Sequence, residues 1–141
     1  MILTIDILQR AYDHCNRVAF DSVLPSDITL SLHDSLKIPG RYDFTVDSRG
    51  NITYQCISIS RSYDWDYGHL QDVLMHEMIH EYLYYFGKND GRNPHGKAFV
   101  QMMNDINQKW NRHITIDQDE SKMKVADGQK PKWSLGRLFK K

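Results

Sequence analysis

The chain has 141 residues, 40% hydrophobic and 26% charged, a size and composition that fit one folded domain and exclude wholesale disorder. Its formal net charge is zero, which removes any whole-chain electrostatic case for a nucleic-acid or membrane partner. No apolar run reaches 18 residues, and the start, Met1 to Leu8, lacks a basic stretch and a cleavage site, so neither a spanning helix nor a secretory signal is expected.

The first predicted element is a helix. Leu8, Ala11, Tyr12, Cys15, Val18 and Ala19 recur at three- and four-residue steps, with Thr4 placed to cap the N-terminus. Asp21-Ser22 and Leu24-Pro25-Ser26-Asp27 end it. Strands follow. Ile28, Leu30 and Leu32 alternate with polar residues, as do Tyr42, Phe44 and Val46, and Ile52 to Ser60 is rich in β-formers. Asp47 to Asn51 carries turn chemistry, so an antiparallel meander with a hairpin there is expected, with residues 52–60 as its candidate edge. A long helix runs from Tyr67 or Gly68 to Phe86, stopped by Gly87. Residues 87–94 read as loop, and a third helix from about His95 to Trp110 shows Phe99, Met102, Met103 and Ile106 at helical spacing. His113 to Asp117 reads as a short last strand. The order helix, strands, helix, helix gives an α+β class with helices packed on a small antiparallel sheet.

Cys15 and Cys56 have no metal-site spacing and read as reduced thiols of a cytoplasmic protein. Charge is unevenly spread. Residues 121–141 hold seven basic residues against one acid, Asp127, which leaves residues 1–120 acidic by the same margin. Lys130, Lys132, Trp133, Arg137 and Lys140 in that tail mix charge with an aromatic ring, the combination that non-specific DNA binding uses. The aromatic clusters at 63–67 and 82–86 read as packing and helix entry.

Chemistry is concentrated in His76-Glu77-Met78-Ile79-His80. On a helix, positions i and i+4 share a face, so His76 and His80 can ligate one metal. Glu77, one position on, is better placed to take a proton from a water at the metal than to ligate it. The flanking Val73-Leu74-Met75 and Tyr82-Leu83 bury this helix, and buried polar groups need partners. Catalytic zinc requires a third protein ligand. A glycine at 83 with a histidine at 86 would continue one known pattern, but Leu83 and Phe86 stand there. No glutamate lies between Glu81 and Glu120. His95 is the best candidate, His113 the reserve, and Asp90 and Asp105 have no local support. Tyr84, Tyr85, Arg92 and His113 remain open as oxyanion stabilisers.

His-Glu-Met-Ile-His, then fourteen residues, then His95-Gly96 with Phe99 three positions on, resembles the SprT-like zinc metalloprotease family, including the Spartan-type proteases. Asn16, Phe20 and Leu24-Pro25 resemble its N-terminal stretch, and Ile52 to Ser60 its strand before the active-site helix. The resemblance implies a zincin-like fold over residues 1–120, zinc held by His76, His80 and His95, and Glu77 as general base. It also implies hydrolysis of protein or peptide substrates, those of Spartan-type members being associated with or crosslinked to DNA. The paired cysteines of the C-terminal zinc ribbon that many members carry are absent from this sequence. The expected organisation is thus a protease domain followed by a basic tail at 121–141. The tail would contact DNA, with a nucleoid or nuclear setting in that case, and no membrane partner is expected. The competing reading is a non-catalytic DNA- or chromatin-associated module that keeps a structural zinc.

Overall fold

A computed structural model describes residues 1–117 and 124–126. Helix α1 covers Ile5–Ala19, strands β1, β2 and β3 cover Thr29–His33, Gly40–Val46 and Ile52–Ser60, and β4 is Tyr63–Asp64. Helices α2 and α3 cover Tyr67–Tyr85 and Lys97–Trp110, and β5 is Lys124–Val125. The α+β class stands: three helices pack with a small sheet.

Local chemistry sets the helix ends. The Thr4 hydroxyl accepts from the Ile7 amide at 3.2 Å, and Asp66 caps α2 by accepting from the His69 amide at 3.2 Å. At the far end of α2, Gly87 sits at φ +66, with Gly87 N donating to Tyr84 O and Lys88 N to Leu83 O. This paired 5→2 and 6→1 closure turns the chain sharply out of the helix, and the positive φ explains the glycine. After α1, the Asn16 side chain grips Leu24 by both backbone groups, Nδ2 donating to the carbonyl and Oδ1 accepting from the amide, each at 3.2 Å.

The sheet order is β1-β3-β2. The hairpin at 47–51 forms as expected: the Asp47 amide bonds Asn51 O, and Asp47 Oδ1 accepts from the Arg49 and Asn51 amides at 2.9 Å. The meander does not. β1 pairs with β3 in parallel, from Thr29 opposite Cys56 to His33 opposite Ser60, so the sheet is mixed. β3 is therefore its central strand, and residues 52–60 are not an edge; among the described residues the edges are β1 and β2. Residues 34–39 carry the chain past the place that β3 later fills. Alternation tells which face a residue takes but carries no information about the neighbouring strand. Nor is 113–117 a strand; side-chain hydrogen bonds hold it instead.

Ile57 and Ile59 turn one face of the sheet into the core, together with Leu8, Tyr12 and Cys15 of α1 and Leu70, Leu74, Met78 and Ile79 of α2. α3 adds Phe99 and Ile106. Helix α2 contacts the sheet, α1 and α3, so it is buried nearly all round, and His76, Glu77, His80 and Glu81 are buried with it. Cys15 is buried and Cys56 half-buried, both as free thiols. β5 pairs with β4, Ala126 N donates to Ser62 O, and Ala126 is buried, so residues 124–126 pack on the body. Among the described residues no helix is long and apolar enough to cross a membrane.

Candidate metal centre

The structure brings His76, His80 and His95 together; among the described residues they form the one histidine, cysteine or carboxylate cluster able to hold a metal. One helical turn separates the first two, and the loop before α3 returns the third. His95 Nε2 stands 3.1 Å from His80 Nε2 and 3.2 Å from His76 Nε2. Two ligands at 2.0–2.1 Å from a tetrahedral zinc stand about 3.3–3.4 Å apart, so the spacing fits a single small ion. Phe99 packs against all three rings at centroid distances of 4.7–4.9 Å.

Protonation fits as well. His76 Nδ1 lies 2.7 Å from the Thr115 carbonyl, which can only accept, so Nδ1 carries the proton and Nε2 presents a lone pair to the cluster. Burial pushes His76 down to about 4 and His80 to about 3, and also lowers His95. Neutral imidazoles converging through ring nitrogens have the chemistry of a metal site, and protons compete weakly for it at neutral pH.

The Thr115 carbonyl is itself held in place. Asn107 of α3 clamps Ile114, Nδ2 donating to its carbonyl and Oδ1 accepting from its amide, both at 2.9 Å. Arg112 donates to Asp72 Oδ1 at 2.8 Å and to Gly68 O at 2.6 Å. Residues 112–115 are thus strapped along α2 with a carbonyl on His76. Sequence reasoning missed Arg112, Asp72 and Thr115 because nothing in their spacing signals a contact some 40 positions away, and it missed Asn107 because its clamp on Ile114, seven residues on, carries no motif.

His95 is placed by its loop. Asp90 Oδ2 accepts from the Ala98 amide at 2.6 Å, capping the start of α3 from outside the helix, and Asn93 Oδ1 accepts from the His95 amide at 3.2 Å. Asp90 is therefore a cap rather than a ligand. Asp105 accepts from Gln101 on an exposed part of α3, and the exposed His113 is outside the cluster. The α3 helix begins at Lys97, with Gly96 as its N-cap. A Cβ at Gly96 would lie 2.6 Å from Asp90 Oδ2 and 2.9 Å from Asp90 Cβ, while the carboxylate is pinned to Ala98. Gly96→Ala should therefore lose the cap, costing about 0.5–2 kcal/mol, and shift His95. Thermal unfolding and chelator competition for zinc should both show the loss.

Glu77 is buried, its Oε2 4.0 Å from His76 Nε2. Gly40 lets β2 pass this carboxylate: a Cβ there would lie 3.2 Å from Glu77 Oε2 and 2.9 Å from Val73 Cγ1. Glu81 has a different surrounding. It is fully buried, Tyr12 donates to its carboxylate at 2.9 Å, and burial pushes it up to about 8. It joins α1 to α2 rather than facing the cleft.

The cluster and Glu77 open into a cleft of about 510 Å³ walled by β2, α2, Pro94 and residues 116–117. Of the four oxyanion candidates, Tyr84 lines it and Tyr85, Arg92 and His113 do not. Trp65, in the first aromatic cluster, is buried with Nε1 donating to Ser60 O at 2.7 Å, a packing role. Lys130, Lys132, Trp133, Arg137 and Lys140 lie outside the described residues.

The SprT-like family model matches residues 8–120 of the chain. A comparison with curated proteins returned no significant match.

Proposed function

The chain belongs to the SprT-like family, generally of metallopeptidase type, and from that membership we propose that it is a zinc-dependent endopeptidase. The observation that carries the reading is the convergence of three neutral histidine nitrogens beside one buried carboxylate, open to a cleft.

His76, His80 and His95 would hold the ion. When bound, zinc supplies Lewis acidity, polarising the scissile carbonyl and making water a better nucleophile. Glu77 takes the proton from the attacking water at Oε2, which stands 4.0 Å from His76 Nε2, as the water oxygen bonds to the carbonyl carbon. It then returns that proton to the nitrogen as the C–N bond breaks. The Thr115 carbonyl keeps His76 in the ligating tautomer throughout. β2 is an edge strand among the described residues and lines the cleft from Gly40 to Phe44, so an extended peptide can add to it through backbone hydrogen bonds. The zinc-loaded protein should cleave an unfolded protein substrate, lose the activity to a chelator and regain it with zinc. Wild-type protein with full zinc that cleaves nothing would favour the non-catalytic module.

The proposal extends to DNA-associated substrates, on the charge of the C-terminal segment. Five basic residues follow Ala126, against Asp127 alone. A chain ending at Ala126 keeps β5, whereas one ending at Glu120 would strip it from β4. The chain ending at Ala126 should lose most single-stranded DNA affinity relative to the full chain, whose affinity should fall steeply with salt. Equal anisotropy titrations for the two chains would remove DNA from the reading.

A further inference from the structure

We propose that Tyr42, Phe44 and Tyr84 form a specificity subsite of the cleft that selects an aromatic or large apolar substrate side chain at a fixed distance from the scissile bond. The inference rests on the peptidase reading and adds a substrate class to it.

The three rings form one wall. Tyr42 and Phe44 lie 5.6 Å apart by centroid, Phe44 and Tyr84 4.9 Å, and Tyr42 and Tyr84 6.1 Å. All three line the same cleft as His76, Glu77, His80 and His95. Their origin in two elements explains the alignment. Strand alternation gives Gly40, Tyr42 and Phe44 one face of β2, the face that Ile57 and Ile59 share on β3. Tyr84 follows Glu77 by seven residues, two turns along the same side of α2. Gly40 lies beside the Glu77 carboxylate, and from it the strand runs away from the reacting groups toward the rings.

Strand spacing turns this into a register. At about 3.4 Å per residue, Tyr42 and Phe44 stand roughly 7 and 14 Å beyond Gly40. A peptide pairing with the β2 edge points every second side chain to the face that carries the rings. The residues opposite Tyr42 and Phe44 are thus two and four positions from the one opposite Gly40, on one side of the scissile bond. Phe44 remains 37% exposed although it faces the helix layer, so its ring offers surface that the described residues leave uncovered. The Tyr42 hydroxyl donates to Gln55 Oε1 at 2.5 Å, which fixes that ring as the floor. An incoming aromatic ring would find offset and edge-on partners at usual aromatic spacings.

The test uses zinc-loaded full-length protein and a peptide library with Phe, Tyr, Leu or Ala at each position, cleavage sites being read by mass spectrometry. An aromatic residue two or four positions from the cut should raise kcat/KM about tenfold over alanine. Phe44→Ala should bring that ratio close to one, and Phe44→Tyr should retain it. Circular dichroism and zinc content establish that each variant is folded. In parallel, zinc-loaded Glu77→Gln protein is titrated with the aromatic and alanine peptides by fluorescence anisotropy. Cleavage without aromatic bias, or a bias unchanged in Phe44→Ala, overturns the subsite and leaves the peptidase reading intact. No cleavage, together with an aromatic binding preference that Phe44→Ala abolishes, overturns the peptidase reading and leaves the recognition site standing. Neither cleavage nor preference overturns both.

Discussion

Replacing Glu77 by glutamine should lower peptide hydrolysis by about 10²–10⁴-fold while zinc content and folding stay unchanged. Glutamine matches glutamate in size and keeps a carbonyl oxygen and hydrogen-bonding capacity, but it cannot accept and return a proton at neutral pH. Position matters as much as type. Glu77 is 4% exposed and the approach of β2 at Gly40 confines its carboxylate, so a replacement of a different shape would disturb the strand and confuse a chemical loss with a packing loss. Single-turnover assays on the zinc-loaded variant, with metal analysis on the same sample, separate the two. Unchanged proteolysis would move the general base to another residue.

His95→Ala should weaken zinc binding by more than the 10–100-fold that follows loss of an outer-shell partner, because it removes a ligand itself. The fold should survive. His95 is only half-buried and lies before α3, whose start is capped by Asp90 rather than by the imidazole. His113→Ala, outside the cluster, should leave stoichiometry unchanged and serves as the matched control. Atomic absorption after dialysis against a competing chelator gives the comparison. Full zinc occupancy in His95→Ala would sink the three-histidine site.

Much of this was legible in the sequence because it is local. Thr4 caps α1, Gly87 stops α2, and Asp47 to Asn51 closes a hairpin, since each depends on side chains and φ angles within a few residues. His76 and His80 share a face because helical periodicity alone puts them there. The elements long-range pairing creates were not legible. Alternation at Ile28, Leu30 and Leu32 and at Tyr42, Phe44 and Val46, with the β-formers of 52–60, announced strands, yet only the assembled sheet places β3 between the other two and leaves β2 as the edge beside Glu77. The third member of the histidine cluster was likewise a tertiary matter. His95, His113, Asp90 and Asp105 were all chemically competent, and what separated them was where a loop returns, which depends on the Asp90 cap and the packing of α3 on α2. The Arg112–Asp72 pair and the Thr115 carbonyl on His76 belong to the same class. Short-range periodicity and turn chemistry thus determined the helices, the hairpin and two histidines of the cluster. The edge strand, the third histidine and the carbonyl that orients His76 were decided by contacts between residues distant in sequence, whose free energy exists only once the core has formed.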